Sequence, residues 1–329
     1  MTRQRDIRLD LLVLGDLNPD LLVIDDDPVP RFGQEERVVR SISLAIGGSG
    51  AIVACGAARL GLVTALHAVI GNDALGRLML SAVAERGVDT RACVLDRARP
   101  TGASVILSSA ADRAILTAMG AIDAATHIPL DLIRRARHVH VTSWFLRRSM
   151  SEELLWALAE AHASGATTSI DPNWDPAQCW DGGIADALAE SDVVFVNERE
   201  AICLTGESSV ERAADTLGLL PAGGSRQPPV IVVKRGSDGA LALGHGERLA
   251  FGTLPVDVVD TTGCGDSFDA GFLHGFIGAR TLPDCLRLGI ACGSLAARAP
   301  GGTASQPTID EALDASQGLT ERPLQTERT

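Results

Sequence analysis

Apolar residues along this chain fall into short unbroken runs, each closed by a polar turn and followed by a stretch of helical period. LDLLVLGD at 9–16, TALHAVIGND at 64–73, HVHVTSW at 138–144, TTSIDPN at 167–173, DVVFVNE at 192–198 and PVIVVKRG at 229–236 have this character. Runs without polar alternation are those of parallel strands buried on both faces. Between them lie amphipathic stretches: AIVACGAARLGL, ALGRLMLSAVAERGV, SEELLWALAEAHASG and GGIADALAESD. Strand and helix in alternation predict an α/β fold whose mainly parallel sheet is covered on both sides.

Two segments break the rhythm. Residues 18–45 and 95–125 alternate apolar and polar positions, carry prolines and lack a helix period. They predict half-exposed antiparallel strands, with SSAADRAIL (108–116) as a hairpin turn. Together they would form a small β lid over the carboxyl ends of the main strands, where such sheets bind ligands. The core is then 1–17, 46–94 and 126–315. Residues 316–329 have few apolar positions and are expected to fray.

Composition narrows the function. At 329 residues with 46% hydrophobic content, the chain can bury a large core. No apolar run is long enough to span a bilayer, and the N-terminal residues lack a signal-peptide plan, so a cytoplasmic protein without a membrane partner is expected. A formal charge of -13 with no basic block speaks against nucleic acid. The seven cysteines are scattered without a C-x-x-C pair, which predicts reduced thiols and neither a disulfide framework nor a zinc site.

One stretch carries chemistry. In DTTGCGDSFDAGF (260–272), a turn of small residues leads into an amphipathic helix. Bare N–H groups of Gly263, Cys264 and Gly265 at a helix start make an anion site. They would stabilise the charge that develops on a transferred phosphoryl group. A carboxylate there, Asp266, would repel the anion unless it takes a proton close by.

DTTGCGDSFDAGF resembles the second signature of the PfkB/ribokinase family of carbohydrate kinases, with Cys264 for the common alanine. GGSGAIVACGAARLG (47–61) is similar to the first signature, GDLNPDLLV (15–23) to the first strand and turn, NERE (197–200) to the N-x-x-E motif and KRGSDG (234–239) to the nucleotide-side glycine turn. The resemblance implies a ribokinase-like three-layer fold with a small β lid. It implies an ATP-dependent kinase acting on a primary hydroxyl of a small sugar or polyol, or on a nucleoside in the alternative. Asp266 would be the base and Gly263, Cys264 and Gly265 the anion hole. Asn18, Asp20, Gly47, Gly48 and the position of Ile52 would face the acceptor. Asn197, Lys234, Gly236 and Gly239 would face the nucleotide. Glu200 would support magnesium through water, although Asn197 and Glu200 also read as a helix cap. AARAPGGTASQP (296–307) is similar to the family's monovalent-cation loop, which implies potassium held by Asp260, Thr262, Ala296, Ala299, Gly301 and Ser305. Such a chain would be a monomer or a homodimer through the lid.

Ile52 is the clearest departure, because the family has asparagine there for a sugar hydroxyl. Either the acceptor lacks that hydroxyl or Ile52 turns into the core. Two other classes fit less well. A dinucleotide-dependent oxidoreductase expects G-x-G-x-x-G after the first strand, where this chain has GDLNPD. A silent sugar-binding regulator would not need Asp266 in an intact anion turn.

Overall fold

The apolar run nearest the N-terminus becomes β1 (Leu9–Leu14), five of whose six residues are buried. The computed structural model describes residues 8–108, 113–221 and 227–322. After β1 the chain leaves the core as β2 (Asn18–Ile24) and returns along β3 (Ser41–Gly47) into α1 (Ser49–Arg59), β4 (Thr64–His67), β5 (Val69–Gly71) and α2 (Ala74–Glu85). β6 (Val94–Asp96) precedes a second excursion, β7 (Ala103–Ser108) and β8 (Arg113–Ala118). Then come α3 (Leu130–Arg135), β9 (Ala136–Thr142), α4 (Ser151–Ala163), β10 (Thr167–Asp171), α5 (Ile184–Ala189), β11 (Val193–Asn197), α6 (Glu198–Thr205), α7 (Val210–Gly218) and β12 (Val230–Lys234). The chain closes with β13 (Ala240–Gly244), β14 (Glu247–Phe251), α8 (Cys264–Ile277), α9 (Leu282–Ala296) and α10 (Ile309–Ser316).

Eight strands form the central sheet in the order β14-β13-β12-β11-β10-β9-β1-β4. It is parallel from β12 to β4 and antiparallel at the β12-β13-β14 edge. Alternate residues feed two cores: Leu11, Val13, Phe195 and Val232 meet α1, α8 and α9, while Leu12, Leu14, Val139 and Val194 meet α4 and its neighbours. The result is the expected three-layer α/β sandwich. TALHAVIGND, read as one strand, is split: β5 leaves the main sheet and pairs with β6.

The excursions form a separate sheet, β3-β2-β7-β8. Its two hairpins are antiparallel as expected, but β2 and β7 pair in parallel, so the lid is not wholly antiparallel. The SSAADRAIL turn at 109–112 lies outside the described residues. Register puts Leu21, Leu44, Val105 and Leu116 across one face, where Leu44 and Leu116 are 46% and 62% exposed. Asp20, Ser104 and Thr117 align across the other face. Among the described residues, no helix is long and apolar enough to cross a membrane.

Residues 319–322, within the segment expected to fray, pack back onto the sheet edge. Leu319 is buried, Glu321 pairs with Phe251, and the Arg322 N–H donates to the Ala250 carbonyl at 2.7 Å. Edge strand β14 offers unpaired backbone groups that this segment satisfies. Residues 323–329 lie outside the described set.

The end of β1 and the start of α1 meet at a close crossing of two glycines. A Cβ on Gly50 would stand 2.6 Å from Cα of Gly15, and one on Gly15 would stand 2.5 Å from Cα of Gly50. Around Gly50 the nearest atoms are all backbone, of Gly15 and Asp16, and cannot readily yield. Gly50→Ala is expected to cost about 1–3 kcal/mol through overpacking, read as a lower denaturation midpoint at an unchanged m-value.

Candidate active site

The anion turn has the local structure its glycines require. Gly263 caps α8 with φ +70°, and a Cβ there would come 2.5 Å from Cα of Gly302. No side chain caps this helix start; the Cys264 N–H donates to the Thr261 carbonyl at 3.3 Å, which leaves the other N–H groups of the first turn without a side-chain partner. Asp266 stands in the first turn of α8 and accepts a hydrogen bond from Ser49 Oγ. Ser49 opens α1, whose own cap is Gly48 at φ +88°. Two helix N-termini therefore converge on one carboxylate. Burial pushes Asp266 up to about 7, against the Ser49 hydroxyl and the Lys234 ammonium, which pull it down. Sequence reasoning missed Ser49; its place inside GGSG, one residue after Gly48, was the available signal.

Asn18 and Asp20 stand side by side on β2. Asn18 Nδ2 donates to Asp20 Oδ1 at 3.0 Å and to Ser104 Oγ of the lid at 3.4 Å. The Asp20 carboxylate lies against Cα of Gly47, in the space any Cβ would take. Burial, then the charge of Asp16, lifts Asp20 to about 7; Asp266 and Asp260 add to the rise. Asp16, also unforeseen, accepts the Gly50 N–H at 3.0 Å and Ser143 Oγ at 2.9 Å, tying β1, α1 and the end of β9 together. Arg113 of β8 donates to Thr261 Oγ1 at 2.9 Å, so the lid touches the anion turn directly.

Ile52 is buried, as Asn18 and Asp20 are. It is 3% exposed and sits under the turn, where a Cβ on Gly302 would meet its Cδ1 at 2.5 Å and one on Gly263 its Cγ2 at 3.1 Å. This packing favours the alternative in which Ile52 turns into the core. It fills the space that two glycines leave between the anion turn and the 296–305 loop.

On the nucleotide side, Asn197 and Glu200 form a reciprocal capping box at α6, with bonds of 2.9 and 2.8 Å. Burial, reinforced by Asp171, raises the Glu200 carboxyl to about 7. Gly236 (φ +55°) and Gly239 (φ +90°) shape the turn after β12, and a Cβ on Gly239 would strike the Phe251 carbonyl. Lys234 does not reach outward with them. Its Nζ donates to Asp171 at 2.5 Å and to both oxygens of Asp269 at 3.1 Å, which corrects its placement among nucleotide ligands.

Asp260, Thr262 and Gly301 are hydrogen-bonded to one another, as are Ser305 and Ala296. Asp260 accepts the Thr262 N–H and hydroxyl at 3.0 and 2.8 Å with one oxygen and the Gly301 N–H at 2.8 Å with the other. Ser305 Oγ donates to the Ala296 carbonyl at 2.7 Å. Ala299 lies in the same loop, two residues before Gly301.

The pfkB family carbohydrate kinase model matches residues 8–309. The chain belongs to the pfkB family of carbohydrate kinases. It is similar to a fructokinase of Klebsiella pneumoniae, 31% identical over 80% of this chain and 90% of that one. It is also similar to a ribokinase of Haemophilus influenzae, 27% identical over 94% and 98%. Among solved structures, Arabidopsis thaliana ribokinase complexed with ribose and ATP superposes with a TM-score of 0.78 at 24% identity, covering 94% of this chain and 99% of that one. A pfkB kinase is a phosphotransferase with an alcohol group as acceptor, and the two converging helix starts suit such a reaction.

Ile52→Asn is expected to lower stability by about 1–3 kcal/mol by burying an amide between two glycines. It should not improve turnover of any acceptor. Denaturation midpoints and kcat/KM on a sugar panel check this.

Proposed function

We propose that this chain transfers the γ-phosphoryl group of ATP to a primary hydroxyl of a small sugar or polyol, with Asp266 as general base. The observation that carries the reading is Asp266 in the first turn of α8, a helix start that no side chain caps, bonded to Ser49 of α1. The acceptor would lie between lid and sheet, held by Asp20 and Asn18 against Gly47 and Gly48. Asp266 takes the hydroxyl proton as that oxygen attacks the γ-phosphorus in line, and the bond to the ADP oxygen breaks. The amides of Gly263, Cys264 and Gly265 meet the charge on the equatorial oxygens.

The relatives' names support a sugar acceptor: fructokinase, ribokinase and a 2-dehydro-3-deoxygluconokinase of Bacillus subtilis, 30% identical over 83% of this chain. An E. coli putative ribokinase II was solved in complex with ATP and magnesium. Asn197 and Glu200 suit a magnesium ion held through water, because the buried Glu200 carboxyl is already tied to the Asn197 N–H. Magnesium would neutralise the phosphates. A nucleoside acceptor is the second reading, favoured by likeness in fold to adenosine kinase from Sinorhizobium meliloti, with a TM-score of 0.79. The apolar outer face of the lid supports pairing between two copies of the chain.

Asp266→Asn should fold and bind ATP, yet lose about a hundredfold or more in kcat. In wild type, kcat/KM should fall as pH drops through about 7, because burial holds Asp266 protonated below that point. A variant with wild-type turnover on the acceptor that wild type prefers, or a rate flat from pH 5 to 8, would refute Asp266 as the base.

Asp260, Thr262, Ala296, Ala299, Gly301 and Ser305 would hold potassium. Carbonyl, carboxylate and hydroxyl oxygens are the donor set such an ion takes. Because Gly302 lies on Gly263, ordering this loop would pre-organise the anion turn. Activity should rise with potassium and respond much less to sodium. Equal rates in potassium and in a large organic cation at matched ionic strength would reject the site.

A further inference from the structure

Of the 29 basic residues in this chain, 28 are arginine, and Lys234 is the one lysine. It stands at the end of β12, with its side chain 13% exposed, between the fully buried carboxyls of Asp171 (β10) and Asp269 (α8). Its three N–H donors are taken up by Asp171 Oδ2 and the two oxygens of Asp269. Nζ lies 5.9 Å from the centroid of the Phe195 ring. Above it is Gly265 of the anion turn, where even a methyl group would come 3.3 Å from Nζ.

We infer that Lys234 is a positioning residue: its ammonium, seated between Asp171 and Asp269 beneath Gly265, fixes the anion turn and the Asp266 carboxylate in their working places, and arginine cannot replace it. A guanidinium is planar and wide, with five donors in a fixed fork. The space under Gly265 admits only a compact cation, and three carboxylate oxygens leave no work for two further donors. One carboxyl oxygen each of Asp171, Asp266 and Asp269 lies within 4.8 Å of the other two, so the ammonium is the charge that lets them share one site.

Titration directions agree with this geometry. Burial pulls the Lys234 ammonium down, but Asp171, Asp269 and Glu200 outweigh it and raise the group above the usual lysine range. Lys234 also holds Asp171 below the ordinary carboxylate range against its burial, and it opposes the rise that burial imposes on Asp266. Burial keeps Asp269 well above that range in spite of the ammonium. The groups facing this cluster are Asp171 and Asn173 from the β10 end, His140 from β9, Phe195 from β11, Glu200 from α6, Asp266 and Asp269 from α8, Ser49 from α1 and Asp16 after β1.

The inference rests on the kinase reading proposed above, and its test separates the two. Labelling with 15N-lysine gives one side-chain signal from the whole chain. The expected signal is a slowly exchanging ammonium that stays protonated well above the ordinary lysine value of about 10.4 and does not move when ATP and magnesium are added. Lys234→Arg and Lys234→Met should each lower kcat on the order of a hundredfold, as misplacement of a reacting group does. The acid limb of kcat/KM should move to higher pH, with KM for ATP changed less than about threefold. Gly265→Ala keeps the lysine and presses on it, and should shift the 15N signal and lower kcat together.

A lysine that exchanges freely and titrates near its ordinary value overturns the inference, whether or not any variant folds. So does Lys234→Arg with wild-type kcat and acid limb, or a KM for ATP that rises while kcat holds. Wild type that phosphorylates no sugar or nucleoside would instead overturn the kinase reading, and the 15N signal would still decide how Lys234 is held.

Discussion

The structure turns on burying negative charge. Asp16, Asp20, Asp171, Asp266, Asp269 and Glu200 gather at the carboxyl end of the sheet, each no more than half-exposed, with one ammonium among them. Carboxylates taken out of water without compensation are costly, and the usual escape is to hold a proton. Here compensation comes in fixed pieces: the starts of α1 and α8, the Ser49 hydroxyl, the capping box at α6 and Lys234. It is incomplete by design of the site, so Asp20, Asp266 and Glu200 are left near 7. A carboxyl poised there is suited to taking and giving up a proton at neutral pH.

Holding these groups so close requires backbone to meet backbone. Gly15 against Gly50 seats α1 on the end of β1, and Gly263 against Gly302 seats the turn before α8 on the 296–305 loop. Gly47 leaves room for the Asp20 carboxylate. Ile52 then fills the gap beneath the turn that polar side chains would have to fill with hydrogen bonds. The glycines of the site are therefore packing devices as much as flexible ones. Each removes the Cβ that would keep two charged elements apart.

The lid adds the last constraint. Its parallel β2–β7 pairing joins two excursions far apart in sequence into one sheet, so Asp20, Ser104 and Thr117 align in one row across it. Arg113 carries that sheet to Thr261 of the anion turn. Movement of the lid would thus be felt at the residue next to Asp260 and Thr262, whose carboxylate and hydroxyl bind each other.

Sequence by itself determined what depends on short-range pattern. Unbroken apolar runs with helices between them can bury both faces only in a parallel sheet, and two alternating insertions cannot belong to it. The glycine turn before Asp266 was legible in thirteen consecutive residues, and family signatures pointed to the family that the chain belongs to. What it left open were relations between residues far apart in the chain. Ser49 and Asp266 are 217 positions apart, and Lys234 is 63 from Asp171. Nothing local distinguishes an Ile52 that faces a sugar from one that faces two glycines, since a small rotation of α1 separates them. Nor could composition show that residues 319–322 would find the open edge of β14. Tertiary structure decided these points, because partners for a buried charge, a vacant edge or a missing Cβ exist only once the layers have come together.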